Sequence, residues 1–311
     1  IRKETYKFCI IVPTCNRINA VRYWLDNKAK EFFEYGIDLI FLDSSDNDDT
    51  KNIIEKYKFQ NVFYEKYDNK QIYPNDLDEK VVYSLKSTSD KYNIIWPCRD
   101  RSFPVIKNVY KNIIKAFENK KDFIVVYPHQ TEETKVIEKN YDSCIELAYK
   151  MFGEMTSLGS IIYSSGFAKR LVYNQPVKRG INLGLWGPVS VFHEIVNGFS
   201  AFYIKTEAFE YMPYSASFWM KNKSAFNLWV KSWPLMVENL PDEYNSIKYD
   251  ILTFKNWTLS PFNPTLLLHY RLCGDFIPFD VLKNCRVINK MLKGRFYRMF
   301  FTSLFPNFVI K

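Results

Sequence analysis

Two stretches, "FCIIVPTCNR" from Phe8 to Arg17 and "IDLIFLDSSDNDDT" from Ile37 to Thr50, decide how the chain folds. Each is a short apolar run rich in β-branched and aromatic residues that stops at a cluster of polar ones, the pattern of a strand buried on both faces. Between them, Val21, Trp24, Leu25 and Phe32 recur at helical spacing and predict a helix over residues 17–35. After the second, the Asp-rich run supplies cap residues for a helix with Ile53, Ile54 and Tyr57 on its inner face. The alternation continues with strands at 61–67, 92–98 and 122–128 and helices at 76–89 and 103–118. Such regular alternation predicts an α/β fold, a mainly parallel, Rossmann-like sheet flanked by helices.

The second half changes character. A helix is expected at 136–152, a strand at 159–164, a Gly- and Pro-rich loop at 175–188, a short helix ending near Gly198 and a strand at 201–212. From about residue 213 aromatics and prolines dominate, so the expected division is a domain over 1–212 and a helical, aromatic extension over 213–311. With 43 Lys and Arg against 34 Asp and Glu, the chain of 311 residues carries a formal charge of +9 and favours anionic partners. Nucleic acid is set aside because zinc-finger spacing, basic-region heptads and RNP-like motifs are all missing. Six scattered cysteines without a C-x-x-C pair point to a reducing compartment. With no apolar run of spanning length, a cytoplasmic protein is expected, soluble or peripheral on the inner face of a membrane.

Ligands of an open parallel sheet bind beyond the carboxyl ends of its strands. Those ends are Pro13-Thr14-Cys15-Asn16-Arg17, Asp43-Ser44-Ser45-Asp46 and Cys98-Arg99-Asp100-Arg101. A carboxylate there can read an N–H or hydroxyl group, and an arginine can offer its planar fork to phosphate. Residue by residue, the bland alternative is that Thr14 and Asp43 cap helices and Arg17 is solvated.

"IIVPTCNR" followed by "IFLDSSDNDDT" resembles the opening of family 2 glycosyltransferases with the GT-A fold, where one strand ends in V-P-T-x-N-R and the next in D-D-G-S-x-D-x-T. The similarity covers residues 8–130 and fades through 155–200. It implies that Pro13, Thr14, Asn16, Arg17 and Ser45 border a nucleotide-sugar donor, that Asp43 binds its base or ribose, and that Lys80, in "DLDEKVVYSL", reaches the donor pocket; a solvated Lys80 is the alternative. In "WPCRDRSF", Trp96 to Phe103, the family's cluster of metal-binding aspartates is reduced to Asp100, with Cys98 and Arg99 in place of the two preceding acids. Asp100 is therefore the expected ligand of a divalent cation, Mn2+ or Mg2+, with Arg99 and Arg101 neutralising the departing diphosphate. An inert pairing of Asp100 with its arginine neighbours is the competing reading. The family's Glu-Asp base aligns with Trp186 and Gly187, which leaves Glu194 and His193 as the nearest titratable groups, with Glu194 the expected base and a capping or packing role the alternative for each; His129 and His269, the other histidines, are expected in core or surface roles, with completion of a metal shell the alternative.

Aromatics crowd residues 217–234, suited to an acceptor groove or to a core. Residues 286–311 hold Arg286, Lys290, Lys293, Arg295, Arg298 and Lys311 and no acid, suited to an anionic membrane surface, to packing on the domain, or to a second subunit in a homo-oligomer. The resemblance implies inverting transfer of a sugar from a UDP-type donor to a glycan or lipid-linked saccharide, in assembly of a bacterial surface polysaccharide. The alternative is a catalytically silent nucleotide-sugar-binding partner of another transferase.

Overall fold

The computed structural model describes residues 6–68, 75–128, 136–173, 184–212, 224–257 and 260–305. The chain divides into two compact units, Ile1–Leu147 with Glu154–Pro213, and Ala148–Gly153 with Tyr214–Lys311.

The first unit follows the predicted alternation closely at its start. Strand β1 (Phe8–Thr14) leads to helices α1 (Ile18–Asn27) and α2 (Ala29–Glu34), then β2 (Ile37–Asp43), α3 (Asp49–Tyr57), β3 (Val62–Lys66), α4 (Asn75–Thr88) and β4 (Ile94–Pro97). A short β5 (Ser102–Pro104) precedes α5 (Ile106–Glu118), β6 (Phe123–Val126), β7 (Ile137–Tyr141), α6 (Cys144–Met155), β8 (Ile161–Ser164), α7 (Ser165–Tyr173), α8 (Trp186–Glu194), β9 (Ala201–Lys205) and β10 (Phe209–Tyr211). Eight strands form one sheet in the order β3-β2-β1-β4-β8-β6-β9-β7, while β5 and β10 make a separate antiparallel ribbon. β1 pairs in parallel with β2 and β4, and β2 with β3. β8 runs antiparallel to both β4 and β6, so β4, β6 and β9 share the direction of β1 and end on the same rim. The buried strands are continuous apolar runs because helices cover both faces; Ile10, Val12, Leu39, Phe41, Ile94, Trp96 and Ile124 belong to one core with Trp24, Phe32 and Ile113 from the helices.

Three departures from the sequence pattern have local causes. The helix expected at 17–35 is broken at Lys28, whose side chain is buried and pairs with Glu210 of β10 at 2.8 Å. The expected helix at 136–152 begins as β7, an edge strand on β9 bearing the exposed charges Glu138 and Lys139, and only becomes helical at Cys144; charged edges of this kind discourage further strand pairing. The expected strand at 201–212 is two strands in different sheets. Of the Gly- and Pro-rich loop, residues 174–183 lie outside the described residues, as does His129.

In the second unit, α9 (Ser224–Phe226), a π-helical stretch (Asn227–Ser232) and α10 (Trp233–Glu238) are followed by α11 (Lys248–Leu252), α12 (Pro264–Leu272), α13 (Pro278–Lys283), α14 (Cys285–Met291) and α15 (Phe296–Leu304). A buried carboxylate starts the first of these: Asp275 Oδ2 accepts from the backbone N–H groups of Ala225 (3.0 Å) and Phe226 (3.3 Å), satisfying donors that have no partner inside a helix. Trp233 stacks on Phe254 at 5.0 Å between centroids, and Trp257 meets both edge-on, at 5.0 and 4.8 Å. In the aromatic-rich stretch 217–234, therefore, Phe226 and Trp233 are core residues, and 217–223 lie outside the described residues.

Gly153 of α6 meets this cluster: a Cβ there would lie 2.8 Å from the Trp257 indole. Gly153→Ala gains about 1 kcal/mol of helix propensity, against an overpacking cost of roughly 1–3 kcal/mol. We expect a net loss of about 1 kcal/mol, read by urea unfolding followed through tryptophan fluorescence; unchanged or raised stability would mean that the indole yields freely.

Candidate functional site

The carboxyl ends of β1 and β2 are tied together by a short relay. The N–H of Asn16 donates to Ser45 Oγ at 2.7 Å, and the Ser45 hydroxyl donates in turn to Asp43 Oδ1, which also accepts from the Ser45 N–H at 2.9 Å. Asn16 holds a left-handed backbone (φ 53°), a conformation Asn tolerates better than most residues. Its side chain clasps Asp46, accepting from the Asp46 N–H at 3.2 Å and donating to Asp46 Oδ2 at 3.3 Å. Two buried oxygens at these strand ends, Thr14 Oγ1 and Asp43 Oδ2, have no hydrogen-bond partner among the described residues. Tyr64 also reaches Asp43: burial, then the charges of Asp43 and Asp48 and a side-chain hydrogen bond with Asp43, push its phenol up to about 12. An unpartnered buried carboxylate oxygen is costly, so a donor arriving from outside at Asp43 Oδ2 would recover that cost.

Lys80 of α4 lies beneath the same ends, neither solvated nor at the surface. Its ammonium is buried, donates to the Thr14 carbonyl at 3.1 Å and to Ser44 Oγ, and sits 5.8 Å from the Tyr67 ring centroid. Pro13 is buried at the end of β1 opposite Leu42 of β2, beyond the part of β1 that β4 pairs with, where its missing N–H costs the ladder least.

One strand over, the turn after β4 carries Asp100. The Trp24 indole N–H of α1 fixes this turn by donating to the Asp100 carbonyl at 2.8 Å, and Arg17 Nη1 donates to Asp100 Oδ1 at 3.3 Å. Burial pushes the Asp100 carboxyl up, opposed by the charges of Arg17, Arg101, Arg99 and Lys80 in that order. Burial, followed by the Arg17 charge, lowers Arg101. Arg99 acts on Tyr211 of β10, whose phenol burial raises to about 12 while the Arg99 charge opposes the rise. Cys98 points into the core, and burial holds its thiol well above the usual range. The structure thus brings Pro13, Thr14, Asn16, Arg17, Asp43, Ser45, Lys80, Arg99, Asp100 and Arg101 to one rim.

This donor set does not fit a resident divalent cation. No group of three or more His, Cys, Asp or Glu side chains able to hold a metal exists among the described residues. The expected ligand, Asp100, is already paired with Arg17 and lies in the field of three further cations, which repel a metal ion as they attract a phosphate.

Glu194 is not brought to this rim. It pairs with Arg170 Nε at 2.9 Å, and Arg170 Nη2 reaches Asp122 at 3.1 Å. Asp122 precedes the first residue of β6, so this network lies at the amino ends of the parallel strands, opposite Asp100. The cause is α8 itself, which begins at Trp186 and ends at Glu194. Its start is held by a carboxylate that sequence reasoning missed: Asp78 of α4 accepts from the Trp186 N–H at 3.2 Å and the Gly184 N–H at 2.8 Å. Asp78 stands two residues from Lys80 in a helical pattern, and nothing in its spacing distinguishes it from a solvated acid.

Comparison with solved structures places this architecture. The structure of S. aureus TarS 1–349 in complex with UDP is similar with a TM-score of 0.56 at 13% identity, covering 94% of this chain and 91% of that one. The mannosyltransferase PcManGT from Pyrobaculum calidifontis, in complex with GDP-Man and Mn2+, is similar with a TM-score of 0.54 at 10% identity, covering 98% and 88%. The chain therefore has a GT-A-like glycosyltransferase fold, the α/β class expected from its strand pattern. No protein-family model matches the sequence, and no curated protein does.

Asp78 yields a test with a definite sign. Burial raises its carboxyl well above the ordinary 3.8, against the lowering effect of the two backbone N–H groups. A raised folded value means stability that is complete below 3.8 and is lost as pH rises through the folded value. Asp78→Asn sets an amide N–H against a backbone N–H and costs roughly 1–3 kcal/mol. In urea unfolding across pH that deficit should narrow as pH rises; a pH-independent deficit would refute the raised value.

Proposed function

We propose that this protein is a glycosyltransferase that moves a sugar from a nucleotide diphosphate donor, with UDP favoured, to a glycan or lipid-linked saccharide in assembly of a bacterial surface polysaccharide or glycoconjugate. The observation that carries the reading is that Asp43 Oδ2 and Thr14 Oγ1, buried at the ends of β2 and β1, have no hydrogen-bond partner among the described residues and share a rim with the Arg17–Asp100 pair that follows β1 and β4. A nucleoside offers donors to the former, and a diphosphate offers oxygens to the arginines. The likeness to folds whose solved complexes hold UDP and GDP-Man supports the same assignment.

In this reading the acceptor oxygen attacks the anomeric carbon from the side opposite the diphosphate. The new C–O bond forms as the old one breaks, its electron pair leaves on the diphosphate, the acceptor hydroxyl gives up its proton to water, and the sugar is inverted. Arg17, Arg99 and Arg101 oppose the charge that develops on the leaving group, which is where fixed cations lower a barrier most. Asp100 holds Arg17 in place for that task through their ion pair. Glu194, bound to Arg170 at the other end of the strands, takes no part.

A second reading, a catalytically silent nucleotide-sugar-binding partner, is favoured by one observation: the single acid that remains of the metal-binding cluster is engaged by an arginine. Two measurements separate them. A ligand at 100 times its Kd stabilises the folded form by about 2.7 kcal/mol, so UDP should raise the melting temperature by roughly 5 °C. Asp43→Asn should weaken UDP binding by roughly ten- to a hundredfold, since a charge-assisted hydrogen bond contributes roughly 1.5–3 kcal/mol. With labelled UDP-sugars, in chelator and in added Mn2+, release of UDP supports the transferase; binding without release in every condition establishes the silent partner, and no binding of any nucleotide sinks both.

A further inference from the structure

The second unit carries an exposed surface that the transfer reading does not use. Phe279 of α13 is 71% exposed, with Leu282 beside it one turn on. On α15, Tyr297, Phe301 and Leu304 recur at i, i+4 and i+7 and are all exposed, Phe301 by 60%, while Met299 and Ser303 face inward. α13 and α15 pack against each other, and Val287 of α14 and Phe305 add to the exposed apolar set. Large aromatics in such numbers do not stay in water without a reason.

Charge says what covers them. From Val281 to Lys311 the sequence contains no Asp or Glu. Lys283, Arg286, Lys290, Lys293, Arg295 and Arg298 are all exposed, and helical spacing sets them around the rings: Lys283 lies one turn from Phe279, and Arg298 one turn from Phe301. A second copy of the same face would set like charges against one another, which disfavours self-pairing. No helix among the described residues is long and apolar enough to cross a membrane. Rings that insert at shallow depth, ringed by cations that stay at the headgroups, are the composition of an interfacial contact with an anionic bilayer.

We propose that α13, α14 and α15 form a peripheral docking face for anionic lipid surfaces, with Phe279 and Phe301 entering the interface and the six cations meeting the headgroups. This does not depend on the transfer reading. The test is co-sedimentation of the full chain with phosphatidylcholine vesicles, with and without one-third phosphatidylglycerol. Binding should be at least about tenfold tighter on the anionic vesicles and should fall with added salt. Arg295→Gln with Arg298→Gln should weaken it by about tenfold or more, and Phe279→Ser with Phe301→Ser by a similar factor. Because all four side chains are exposed, melting temperature and UDP binding should not change in these variants. Absence of binding to anionic vesicles overturns the proposal, as does equal binding to both compositions. Concentration-dependent dimerisation abolished by the double serine variant would likewise overturn it by making a second copy the occupant.

Discussion

Lys80 carries its ammonium into the gap between the ends of β1 and β2, where the Thr14 carbonyl and Ser44 hydroxyl receive it. Removing an ammonium from water costs several kcal/mol unless hydrogen bonds and nearby charge replace the lost solvation. Here the replacement comes from two oxygens, the Tyr67 ring and the carboxylate of Asp100, on whose titration Lys80 acts. The arrangement persists only while those partners stay in place, so α4 is fixed to the strand ends. Two residues earlier the same helix presents Asp78 to the start of α8. The position of the rim and the position of α8 are thus set by one helix.

The rim is organised around one carboxylate and its arginines. With Cys98 turned into the core and Arg99 next in sequence, positive charge gathers at the carboxyl end of β4. Burial favours the neutral form of Asp100 and weakens Arg101, and each effect is offset by the opposite charge close by. A diphosphate entering this field would meet preorganised cations with little reorganisation. The same charge makes the rim a poor place for a free metal ion.

The second unit is built on a different principle. Its interior is a cluster of edge-on and stacked aromatic rings closed around Trp233, with Gly153 leaving room for the Trp257 indole. Ring packing of this kind needs little regular secondary structure, which is why α9, α11 and α13 are short and why periodicity reveals little in this part of the sequence.

The sequence by itself determined β1, β2, their register of polar ends and the alternation up to α5. A strand buried on both faces must be a continuous apolar run, and a rim must be polar where helices no longer cover it. It also determined that Asn16, Arg17, Asp43 and Asp100 would share one rim, because parallel strands bring the residues after them to the same edge. Only the tertiary structure decided what depends on distant partners: the break at Lys28, drawn to Glu210 of β10; the strand β7, recruited by β9 in place of a helix; and Glu194, carried away from the rim by the length of α8. Asp78 could be recognised only once Trp186 and Gly184 lay against it, because a buried acid and a solvated one look alike until the residues that bury it are in place.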